Sequence, residues 1–150
     1  MLPSRSAIRG FRESWSIDQN MQTPEDTEET EPILNDVPYA GLLAVQNAWI
    51  GYDDRDLFRF GWLLGIVGPA SLAEPTQKGF HALINGDDPN GWSNQIDTEP
   101  VLNLYWERKH KLARARWGDL ALAGGGNLGN LFTGAWSARN SPSWSDPPRG

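Results

Sequence analysis

The sequence predicts an all-β protein: an antiparallel sheet of about six strands with one short helix. Three observations carry this. Long segments alternate between two kinds of side chain with period two, the spacing that sends successive residues to opposite faces of a strand. Turn-forming residues punctuate these segments. A single stretch, GPASLAEPTQKGFHALINGDDPNGW from Gly68 to Trp92, breaks the alternation and follows helical spacing.

The elements follow in order. FRESWSIDQNM (Phe11 to Met21) is the first strand. An acidic loop spans 22–38; most of the chain's acid lies between Glu25 and Asp36, without periodicity, as in a solvated loop. YAGLLAVQNAWIGY (Tyr39 to Tyr52) is the second strand, and Asp53-Asp54-Arg55 reads as a hairpin turn. DLFRFGWLLGIVG (Asp56 to Gly68) is the clearest strand. Phe58, Phe60, Trp62, Leu64 and Ile66 share one bulky apolar face, and the other face carries Arg59, Gly61 and Gly65.

The helix is expected over 71–85. Ser71 with Glu74 fits a capping box, Pro75 fits a first turn, and Gly86 is a natural stop. Three further strands complete the sheet: Glu99 to Leu112, Ala113 to Gly126 and Asn127 to Asn140. These strands are longer than the roughly 3–10 residues usual in soluble sheets. Length, alternation and aromatic residues near strand ends are the weak signature of a transmembrane β-barrel. A soluble sandwich or lipocalin-like barrel is the other reading, and periodicity taken alone favours it.

Composition narrows the function. The 150 residues make one domain at most, and the net charge of -6 argues against a nucleic-acid surface. There is no cysteine, which removes disulfides, thiolate metal sites and a cysteine nucleophile. MLPSRSAIRGF lacks the apolar core of a signal peptide, and no stretch approaches the ~20 apolar residues of a membrane helix.

His81 is the sharpest chemical candidate, because histidine titrates near neutrality and can take a proton from water. Gln77 lies one turn earlier on the same face and can hydrogen-bond a substrate or hold the ring. The plain alternative is a half-buried helix histidine with no chemistry. Asp87 and Asp88, with Asn85 and Asn90, place hard oxygens close by, as calcium prefers, although an Asx-rich turn gives the same pattern. Gly124-Gly125-Gly126 lacks a P-loop's context and suggests a bend or small-residue face in a strand. His110, among Arg108, Lys109 and Lys111, reads as a solvated basic strand end.

Four stretches together resemble the outer-membrane lipid A deacylases: QNMQTPED (Gln19 to Asp26), NDVPYAGLL (Asn35 to Leu43), LGIVGPASLAEPTQKGFHALINGDDPNGWSNQIDTEPVLNLYWER (Leu64 to Arg108) and GGGNLGNLFTGAW (Gly124 to Trp136). The resemblance implies an antiparallel outer-membrane β-barrel of about twelve strands, here truncated to its middle portion, with lipid A as substrate and calcium as cofactor. No nucleic-acid or protein partner is expected. By resemblance His81 matches the family's water-activating histidine, and Gln77 a site glutamine. Asp87, with Asp88 next, matches the acid that helps form the metal site.

Two departures accompany the resemblance. Nothing before Phe11 matches the Asn-Asp pair of the family's first strand, and Val37 stands where the family has an arginine. These departures support the alternative of a non-catalytic β protein.

Overall fold

The computed structural model describes residues 8–86, 89–115 and 118–139. Six strands form one sheet whose hydrogen-bonded neighbours run in chain order: β1 (Gly10–Gln22), β2 (Ala40–Tyr52), β3 (Asp56–Val67), β4 (Glu99–Ala115), β5 (Gly118–Gly129) and β6 (Gly134–Arg139). The single α-helix, α1 (Ala73–Ile84), lies between β3 and β4, with a 3-10 turn at Pro69–Ser71 before it and another at Gly91–Asn94 after it.

Chain contacts divide into two compact units. One comprises residues 8–14, Asn47–Trp62 and 103–139. Here the β2–β3 hairpin closes as its residues dictate: the Asp53 carboxylate accepts from the backbone N–H groups of Arg55 and Asp56, both at 2.7 Å. The Asn47 side chain is fully buried and donates to Glu13 Oε1 at 2.9 Å, which staples β1 to β2. Gly61 is required where it stands, because a side chain there would overlap the Tyr105 ring and the Asn47 carbonyl. Arg59 lies over that ring, 5.0 Å from its centre.

The β5–β6 boundary differs from the sequence expectation. Asn127 and Leu128 belong to β5, opposite Tyr105 and Leu104, and the turn falls at 130–133. Asn103 on β4 explains the shift. Its Oδ1 accepts from Leu131 N–H and Phe132 N–H, and its Nδ2 donates to the Phe132 carbonyl, so a side chain outside the hairpin builds the turn. The glycine run lies inside β5 and leaves room for a neighbouring ring: Trp106 occupies the space that a side chain at Gly126 would need. His110 is not simply solvated. Its Nδ1 lies 3.0 Å from Asp56 Oδ1, which Arg108 also reaches at 3.2 Å.

The other unit, Trp15–Gln46 with Leu63–Leu102, carries α1. Its centre is Tyr39, Ala73 and Trp92. The helix begins without the expected capping box. Leu72 takes the N-cap position in a left-handed conformation (φ 59°) and makes no side-chain cap. The helix is seated instead on β2. Ser71 and Ala73 fill the space over Gly41, so a side chain at 41 would collide with both. Glu74, freed from capping, pairs with Lys78 one turn on.

Candidate functional site

α1 presents the two candidate residues on one face. Thr76, Lys78 and Gly79 are exposed, while Gln77 and His81 are half-buried. The Trp92 indole N–H donates to Gln77 Oε1 at 2.9 Å. Trp92 is 1 % exposed, and its ring packs tilted against Tyr39 with centroids 4.9 Å apart. Gly91 makes that packing possible, since a Cβ there would strike the Tyr39 ring.

Tyr39 in turn donates its hydroxyl to the Thr27 carbonyl at 2.9 Å. The same carbonyl accepts from Asn90 N–H at 2.9 Å. Burial pushes the Tyr39 phenol above its ordinary pKa. The acidic loop, expected to be merely solvated, is thus tied from both sides: Asn94 Nδ2 also reaches the Thr30 carbonyl at 2.5 Å. Gln19 on β1 donates to the Ser71 carbonyl at 2.9 Å, which anchors the start of α1.

His81 occupies the last turn of α1. Its carbonyl accepts from Gly86 N–H at 2.9 Å, and the left-handed Asn85 (φ 52°) ends the helix there. The imidazole makes an edge contact with Phe80, and its Nδ1 lies beside the Gly86 Cα, where a Cβ would come within 3.4 Å. Gly86 therefore both ends the helix and leaves the ring room. Asn85 forms the cap through its backbone, its N–H donating to the His81 carbonyl. Asn90 holds the acidic loop, its backbone N–H donating to the Thr27 carbonyl and its side-chain Nδ2 donating toward the Glu28 carbonyl.

Asp87 and Asp88 lie outside the described residues. Calcium takes about 6–8 oxygen ligands. Among the described residues no group of three or more His, Cys, Asp or Glu is placed to hold a metal. Asp36 in the neighbouring loop has both oxygens engaged, by Glu25 N–H at 2.8 Å and Val37 N–H at 2.7 Å. Val37 lines a recess with Pro24, Pro32, Pro38 and Tyr39 and brings no charge to it.

The family model described as "Outer membrane protein LpxR" matches residues 3–138. The chain belongs to the outer membrane protein LpxR family. Membership places it in the outer membrane and agrees with the resemblance read from the sequence. The solved structure of LpxR from Salmonella typhimurium is similar in fold, with a TM-score of 0.75 at 19 % identity, over 82 % of this chain and 44 % of that one. The six-stranded sheet is thus part of an LpxR-type β-barrel, and the chain spans less than half the length of that relative. No curated protein matches the chain.

Trp92 and Tyr39 were not singled out as site residues from sequence. In the sequence they stand in PNGW and PYAG, stretches with no titratable or nucleophilic pattern of their own; the bond from Trp92 to Gln77 is what makes them part of the site.

Proposed function

We propose that this LpxR family member hydrolyses an ester-linked acyl chain of lipid A, with His81 as general base. The observation that carries the reading is one helix face: Gln77 and His81 sit one turn apart, half-buried, and Gln77 is held by the buried Trp92. A base at the end of a rigidly seated helix keeps its position while the substrate enters, which is what proton transfer requires.

The His81 ring takes a proton from water, and the water oxygen bonds to the acyl carbon. The carbonyl electron pair moves onto its oxygen, where an N–H donor stabilises it. The bond from the acyl carbon to the sugar oxygen then breaks. The leaving sugar oxygen recovers the proton from His81, giving a free fatty acid and an alcohol.

We also propose that calcium binds at Asp87 and Asp88. Titration calorimetry on the folded chain tests it. Calcium binding that disappears in Asp87→Asn with Asp88→Asn supports the assignment, and binding unchanged in that variant refutes it.

The hydrolase reading is tested by fatty-acid release from lipid A in detergent. Replacing His81 with Asn should reduce the rate by about 10²–10⁴, the usual worth of a general base. A variant as fast as the parent chain would remove His81 from the mechanism.

A further inference from the structure

We propose that Trp92 is a positioning residue that fixes Gln77 as a hydrogen-bond donor to the ester carbonyl; this rests on the hydrolase reading of α1. The indole Nε1–H of Trp92 can only donate. The Gln77 atom facing it at 2.9 Å must therefore be the amide oxygen, so the usual ambiguity between the two ends of a glutamine amide is settled by chemistry.

The other end of the amide is then the –NH₂ group, carried by a half-buried residue one turn before His81. Gln77 thus offers two N–H donors on the face it shares with His81. Such a group suits the carbonyl oxygen of an ester, and suits it better as negative charge grows there during attack. It does not suit the task of accepting the water's proton, which is left to His81.

Trp92 can hold this orientation because it cannot turn. Its ring is buried against Tyr39, Tyr39 is tied to Thr27, and Gly91 admits the close approach. A donor already aimed before the substrate arrives costs no reorganisation in the transition state. Without the indole N–H, the amide is free to flip and present its oxygen, which would repel the developing oxyanion.

Two substitutions separate this role from simple packing. Trp92→Phe keeps an aromatic ring in the core and removes the N–H. Gln77→Glu keeps an acceptor for Trp92 and removes the donors. Turnover of lipid A by the full chain in detergent should show kcat lower by about 10-fold in Trp92→Phe and by about 10²-fold in Gln77→Glu. KM should change less than twofold in both, with the β-sheet circular dichroism unchanged. A Trp92→Phe chain that keeps this spectrum and the parent kcat overturns the proposal.

A second readout does not depend on turnover. In ¹⁵N spectra of the His81→Asn chain, the Gln77 side-chain amide protons should shift when lipid A is added, and that shift should be lost when Trp92→Phe is combined with it. Absence of the shift in the His81→Asn chain overturns the donor role, whatever becomes of His81 as base.

Discussion

Tyr39 ties down the acidic loop with its hydroxyl and packs its ring against Trp92, which bonds to the helix. Its bond to the Thr27 carbonyl requires the neutral phenol, and burial raises the pKa in the folded state. An unfolded tyrosine ionises near pH ~10. Below that value the contribution of Tyr39 to stability is complete, and it is lost as pH rises through the higher folded-state pKa, because the unfolded chain gives up the proton first. Tyr39→Phe should cost about 1 kcal/mol in denaturant unfolding at neutral pH and should abolish this alkaline loss. If unfolding midpoints of parent and variant fall in parallel above pH 10, the hydroxyl bond is not the cause.

At this scale the sequence was readable only in part. His81 and Gln77 could be named because helix periodicity pairs residues one turn apart. Trp92 could not be paired with Gln77, because the hydrogen bond joins residues 15 apart through a turn of irregular backbone. Asn103 was opaque for a similar reason: its bonds reach 28 and 29 residues along the chain, beyond any local pattern.

Among the elements, α1 is legible from its spacing and from Gly86 as a stop, while its start is not. Ser71 resembles a cap in sequence, yet it packs over Gly41 and Leu72 takes the N-cap in a conformation that a branched side chain disfavours. Leu72→Gly should therefore stabilise the chain by about 1 kcal/mol, read as a higher denaturation midpoint. An unchanged or lower midpoint would show that the Leu72 side chain contributes more than its backbone strain costs.

Gly41→Val should act the other way. It drives a side chain into Ser71 and Ala73, so it should unseat α1 and speed hydrogen exchange along Ala73–Ile84 while β4 and β5 stay protected. Exchange along α1 at the parent rate would mean that the helix does not rest on that strand. The strands themselves were legible because period-two alternation survives any tertiary detail. The β5–β6 boundary was not, because Gly-Asn-Leu repeats across it at 126–128 and 129–131 and offers the eye two equivalent places to break.

At the scale of the whole molecule, family membership resolves what periodicity left open. Phe58, Leu104 and Trp106 are large, apolar and exposed, a poor surface for water and a suitable one for lipid. Leu104→Arg should then cost about 2–4 kcal/mol of folding free energy in lipid bilayers if the residue lies near the midplane. A cost below ~0.5 kcal/mol at this site would mean that Leu104 does not face the hydrocarbon.

The central claim is that the helix between β3 and β4 carries the base of an esterase. The most direct measurement is the release of fatty acid from lipid A by the folded chain in detergent, compared with the same chain carrying His81→Asn. The account predicts release by the parent chain and a loss of about 10²-fold or more in the variant. Equal release by both, or none by a correctly folded parent chain, would contradict it.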